Sequence, residues 1–143
     1  MALNCGWTRA VTVRVLVVDD EPDVEALFRQ QFRREVRDGL YMLDFALSAV
    51  AALAILDDAV GEQIILLVSD INMPGMSGLD LLPIVKTRRP DLPVFMISAY
   101  GDADTVASAL ARGAGEVFSK PVDFPRLKQD IMAVMTDATG GNG

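Results

Sequence analysis

Residues 13–20 read VRVLVVDD, and the reading of this stretch decides the fold. Val13–Val18 is β-branched and almost wholly apolar. It predicts a strand covered on both faces, as in the middle of a parallel sheet. The run stops abruptly at Asp19-Asp20. In open sheets of this kind, ligands bind beyond the carboxyl ends of the strands, which is where these two acids stand.

Working outward, the same grammar repeats. Tyr41–Leu47 is a second strand. Ile64–Val68 (IILLV) is a third and runs into the acid Asp70. Pro93–Ile97 is a fourth, ending at Ser98, and Glu116–Ser119 is a fifth, ending at Lys120-Pro121. Helical patterns lie between them. Pro22 suits a first turn, and Val24, Leu27, Phe28, Phe32 and Val36 follow on one face until Asp38-Gly39. Ser48 is an N-cap candidate for an Ala-rich helix to about Ala59, closed by Gly61. Met73-Pro74-Gly75-Met76-Ser77-Gly78 is turn chemistry. Leu79, Leu82 and Val85 mark a helix to near Arg88, with a kink expected at Pro83. Gly101-Asp102 opens a helix over about Asp104–Ala111, ended by Gly113. Asp123 caps a last helix with Phe124, Leu127, Ile131, Val134 and Met135 on one face.

Five strands alternating with five helices predict an α/β fold: a doubly wound five-stranded parallel sheet, (βα)5, with right-handed crossovers. The expected domain covers 13–136. Residues 1–12 form a lead segment and 137–143, DATGGNG, a flexible Gly-rich tail.

Composition narrows the function. The chain has 143 residues, 51% of them apolar, enough for a buried core. Its net charge of −7 and the absence of any basic run argue against direct contact with nucleic acid or an anionic membrane. Cys5 is the only cysteine and there is no histidine, so Cys/His zinc clusters and Ser-His or Cys-His pairs are excluded. No G-x-x-x-x-G-K-[ST] loop is present. No apolar run reaches the roughly 18 residues of a membrane span, and the N-terminus lacks the order of a signal peptide, so a cytoplasmic location is expected.

The predicted strand ends gather Asp19, Asp20, Asp70, Ser98 and Lys120. Carboxylates brought together repel unless a cation is present, and Mg²⁺ suits a few carboxylate oxygens while keeping positions for water or phosphate. Lys120 adds a fixed positive charge, and the Ser98 hydroxyl can donate to a phosphoryl oxygen. One carboxylate can attack phosphorus and form an acyl phosphate.

These residues carry a resemblance. VLVVDDEP at 15–22, VSDINMPGMSGLDLL at 68–82, VFMISAYGD at 94–102 and FSKPVD at 118–123 together resemble the receiver domain of two-component response regulators, in order and spacing, over roughly residues 13–136. The resemblance implies a flavodoxin-like sheet of order 2-1-3-4-5. It implies that Asp70 is the phospho-acceptor and that Asp20 is a direct Mg²⁺ ligand, with Asp19 acting largely through metal-bound water. It implies that Asn72 offers its backbone carbonyl to the metal, that Ser98 is the hydroxyl sensor, and that Lys120 pairs with the phosphoryl group. It further implies a cis Lys120-Pro121 bond, a phosphohistidine donor on a sensor histidine kinase or histidine phosphotransfer protein, a downstream effector or output domain, and a homodimer as one arrangement open to the family.

Receivers commonly carry Tyr or Phe three residues before the lysine, whereas this chain has Val117, with Phe118 expected on the opposite face. The expectation is therefore that Ser98 draws its loop inward and the fourth helix moves without an aromatic flip. Tyr100, two residues past Ser98, is expected to shield an acyl phosphate from water. Two other functions are weighed against this one. A receiver-shaped interaction module would work without phosphorylation, yet here all five site residues are intact. An aspartyl phosphohydrolase typically has D-x-D after its first strand, whereas this chain has Asp19-Asp20-Glu21-Pro22 and no cap domain.

Overall fold

The computed structural model describes residues 13–99 and 102–140. The element order is β1 (Arg14–Val18), α1 (Pro22–Gln31), α2 (Arg33–Arg37), β2 (Met42–Ala46), α3 (Ala49–Asp57), a 3-10 turn (Ala59–Gln63), β3 (Ile64–Asp70), α4 (Gly78–Arg88), β4 (Val94–Ser98), α5 (Ala103–Ala111), β5 (Glu116–Ser119) and α6 (Phe124–Gly140). All strand pairs are parallel, and the sheet order is β2-β1-β3-β4-β5. This is the expected doubly wound sheet.

The apolar runs are buried because each strand feeds two cores. From β1, Leu16 and Val18 face a core shared with Ala52, Leu82, Val85 and Ala109 of α3, α4 and α5. Val15 and Val17 face the other core, with Phe28 and Phe32 and with Leu127 and Ile131 of α6. Alternation puts successive side chains on opposite faces, so a central strand needs apolar residues at every position.

Several elements depart from the sequence reading. The first helix is two helices. Phe32 leaves helical geometry (φ −106°, ψ 13°), although hydrogen bonds bridge it on both sides, from its own N–H to the Phe28 carbonyl (2.9 Å) and from the Val36 N–H to its carbonyl (3.0 Å). The opening accommodates the fully buried Phe32 ring, which stacks on Phe28 (5.6 Å between centroids) and meets Phe124 edge-on. Leu27, expected on the buried face, is 43% exposed. It borders a cleft of about 210 Å³ with Val24, Phe28, Lys120 and Pro121. The third strand runs two residues further than expected, through Asp70 itself.

Other features stand as expected. Ser48 caps α3 by accepting from the Ala51 N–H (3.0 Å), Asp102 caps α5, and Asp123 accepts from the Arg126 N–H at the start of α6. Gly39 and Gly113 take φ of 76° and 110° at helix ends, where a side chain would be strained. Gly61 is not a simple terminator. A Cβ there would collide with the Leu56 carbonyl oxygen, so glycine is required by close backbone approach. The last helix continues to Gly140, four residues into the stretch expected as a flexible tail. Residues 1–12 and 141–143, and with them Cys5 and Trp7, lie outside the described residues.

α4 runs from Gly78 to Arg88 with Pro83 inside it. Proline has no N–H to give the carbonyl four residues back, here that of Leu79. That carbonyl instead accepts from Nη1 of Arg112 (2.8 Å).

Candidate functional site

The site lies at the carboxyl edge of the three central strands. β1 ends at Val18, and Asp19 follows directly, its backbone N–H bonded to the Ala46 carbonyl (3.0 Å). Oδ1 of Asp19 accepts from the Glu21 N–H (2.9 Å), which turns the chain toward α1. The N-cap itself is Glu21, with no side-chain cap. Asp19 therefore orients the turn before the helix and does not cap it.

Asp70 ends β3 and is buried. Its Oδ1 faces the Asn72 N–H (3.3 Å) and its Oδ2 faces Nζ of Lys120 (3.4 Å). Ser98 closes β4 and is buried, and its carbonyl accepts the Lys120 N–H (3.0 Å). That bond ties the strand end carrying the hydroxyl to the turn carrying the lysine. The Lys120-Pro121 bond is cis. Carboxylate oxygens of Asp19, Asp20 and Asp70 lie within 4.8 Å of one another.

The electrostatics follow from this crowding. Burial pushes the Asp19 carboxyl up to about 6 from 3.8. The Asp70 and Asp20 charges push the same way, and the Glu21 N–H and Lys120 oppose them. Burial outweighs the rest because it strips water from the ionised form of the carboxyl. The donor set is all oxygen, from three carboxylates, and fits a hard divalent cation of the Mg²⁺ kind and not a thiophilic or imidazole-bound metal.

The fold thus brings together Asp19, Asp20, Asp70, Ser98 and Lys120, and places Asn72, exposed, with its backbone against Asp70. Tyr100 lies outside the described residues. Val117 packs against the core of α3, α4 and α5, and Phe118 against the opposite one, as alternation requires.

One residue escaped the sequence reading. A Cβ on Gly78 would collide with the Asp70 carbonyl oxygen and come within 2.7 Å of Met96 Cε and 2.9 Å of Ile71 Cα. The Gly78 N–H also bonds the Ile71 carbonyl (2.9 Å). The first residue of α4 is therefore the seat of the Asp70 loop. Its only signal in the sequence was a glycine just before an apolar helical run.

The sequence matches the response regulator receiver domain model over residues 15–132. The chain is 38% identical to the response regulator protein PilR of Pseudomonas aeruginosa over 122 residues, which is 85% of this chain and 26% of that protein. It spans about a quarter or less of the length of the curated relatives it matches. Among solved structures, the receiver domain of NtrX from Brucella abortus is 34% identical with a TM-score of 0.72, over 84% of this chain and 96% of that one. A chain of the CheX–CheY–BeF3–Mg²⁺ complex from Borrelia burgdorferi is 29% identical with a TM-score of 0.75, over 86% of this chain and 89% of that one.

Proposed function

The chain belongs to the response regulator receiver domains, the switching modules of two-component signal transduction, and from that membership we propose that Asp70 accepts a phosphoryl group from a partner's phosphohistidine in a Mg²⁺-dependent reaction. The observation that carries the reading is the position of the Asp70 carboxylate. It clusters with the carboxylates of Asp19 and Asp20, oxygens within 4.8 Å of one another, and has the Lys120 ammonium 3.4 Å from its Oδ2.

In the proposed step, a carboxylate oxygen of Asp70 attacks phosphorus. The O–P bond forms as the P–N bond breaks. The electron pair stays on the imidazole nitrogen, which leaves and takes a proton from solvent. Asp19, Asp20 and Asp70 would hold the metal, with the backbone carbonyl of Asn72. When bound there, Mg²⁺ neutralises the carboxylates and offsets the charge on the phosphoryl oxygens. Lys120 needs only a small movement of a flexible stem to pair with a phosphoryl oxygen, and the cis peptide that follows it sits at the same turn. The Ser98 hydroxyl donates to another phosphoryl oxygen once one is present. The cleft beside Lys120, walled by Leu27 and Pro121, leaves the approach to this edge open. That the Borrelia relative was solved with BeF3 and Mg²⁺ supports the same pair of ligands for this site.

The donor in this reading is a sensor histidine kinase or histidine phosphotransfer protein, the recipient of the signal is an effector protein or output domain, and the setting is the cytoplasm. Among the described residues no helix is long and apolar enough to cross a membrane.

The test is incubation with acetyl phosphate and Mg²⁺, followed by intact mass and peptide mapping. A gain of one phosphoryl group at Asp70, abolished in Asp70→Asn, supports the reading. A wild-type protein that never gains one points to an interaction module that works without phosphorylation.

A further inference from the structure

We propose that Arg112 is a positioning residue for the phosphoryl site, a latch that ties the helix seating the Asp70 loop to the helix that follows Ser98. Two loops leave the site, each leading from a strand end to the helix that follows it. The Asp70 loop ends at Gly78, where a Cβ would collide with the Asp70 carbonyl oxygen, and α4 starts there. The Ser98 loop ends at the N-cap Asp102, and α5 starts there. An inward movement of the Ser98 loop that carries the N-cap Asp102 with it shifts α5 relative to α4.

Arg112 joins the two. It is the C-cap residue of α5, and its guanidinium lies on the first turn of α4, donating to the Leu79 carbonyl (2.8 Å) with Asp80 Oδ1 at 3.8 Å. The ion pair is long and its partners are 42% and 61% exposed, so it contributes little. The bond to the carbonyl is the charge-assisted one. Pro83 leaves that carbonyl without its helical donor. With any other residue at 83, the N–H at that position would take the Leu79 carbonyl as an ordinary helical bond. Proline withholds the N–H, the carbonyl keeps its acceptor capacity, and the guanidinium supplies the donor. The neighbouring Gly113 (φ 110°), against the Lys86 stem, lets the chain leave α5 close to α4. Losing the latch lowers the cost of moving α5 and so favours the phosphoryl-bound arrangement.

The latch itself is tested on the full chain without ligand, by amide hydrogen exchange in wild type, Arg112→Ala, Pro83→Ala and the double variant. Arg112→Ala should speed exchange in α5 and in the first two turns of α4 by roughly two- to fivefold. In the Pro83→Ala background the same change should have little effect, since the residue-83 N–H then holds the Leu79 carbonyl. Equal effects in both backgrounds, or none in either, overturn the latch.

The coupling rests on the phosphoryl-acceptor reading and is tested separately, by BeF3⁻ binding in Mg²⁺. Arg112→Ala should bind more tightly, by roughly two- to fivefold, and Arg112→Lys should fall between it and wild type. Unchanged or weaker binding by Arg112→Ala, with wild type binding normally, overturns the coupling. A wild type that does not bind BeF3⁻ at all overturns the acceptor reading and the coupling with it, while the exchange result still decides the latch.

Discussion

Nζ of Lys120 stands 3.4 Å from Oδ2 of Asp70, across fifty residues of chain. The carboxylate is 3% exposed and the lysine 35%, so the acid is fixed by the strand end and the cation reaches it from the solvent side. A group entering between them meets a buried oxygen and a mobile positive charge together.

Lys120→Met keeps the stem and removes the charge. The expected result is a loss of phosphoryl uptake from acetyl phosphate of about tenfold or more, because the charge on the transferring oxygens loses one of its two counter-ions. Thermal unfolding should also shift to lower temperature, because the Asp70 carboxylate, 3% exposed, loses the cation that stands 3.4 Å from it. Uptake at the wild-type rate, read by intact mass, would remove Lys120 from the site.

The raised Asp19 carboxyl sets a pH dependence. Its folded value is about 6 against 3.8 unfolded, so between these values the folded state binds more protons and metal-free stability falls as pH rises. The penalty is on the order of 3 kcal/mol, fully expressed above pH 6 and absent below pH 4. Urea melts in EDTA should therefore show Asp19→Asn less sensitive than wild type to a change from pH 5 to pH 7. Mg²⁺ should offset the penalty at pH 7 and do little at pH 5, where protons compete for the ligands. Identical slopes for the two proteins would sink the assignment to Asp19.

Gly78→Ala places a methyl where the Asp70 carbonyl already is. The expected cost is about 1–3 kcal/mol in urea denaturation, with the Asp70 loop displaced and phosphoryl uptake slowed. Gly75, with φ of 76° and open space around it, is the comparison site, since strain there comes from the backbone angle alone. An Ala at 78 that costs nothing would mean the loop is not seated on α4.

Ser98→Ala should still gain a phosphoryl group but lose the response that follows. Wild type with BeF3⁻ and Mg²⁺ is expected to show altered hydrogen exchange in α5, and the variant is expected to show much less. Val117, partly buried against α3, α4 and α5, carries no ring that could turn inward, so the exchange response of α5 is the readout. A full α5 response in Ser98→Ala would assign the relay elsewhere.

The apolar runs ending in Asp19, Asp70, Ser98 and Lys120 were enough to read a doubly wound parallel sheet with its chemistry at one edge. A buried parallel strand needs apolar residues on both faces, and a change to polar residues at its end is a local signal. Turn and cap chemistry at Ser48, Asp102, Asp123 and Gly113 is local too, and was legible for the same reason. What depended on neighbours distant in sequence was not. Phe32 splits the first helix because its ring meets Phe124, 92 positions later by residue number, and Leu27 stays exposed because the cleft beside Lys120 leaves it uncovered. Gly78 looked like one more turn glycine until Asp70 and Met96 were found against it. Pro83 predicted a helix defect, and nothing in its own surroundings pointed to Arg112 as the donor that satisfies the carbonyl it orphans. The identity of the site lay in short-range pattern. Its seating and its connection to α5 were decided by packing and by hydrogen bonds that only tertiary folding brings within reach.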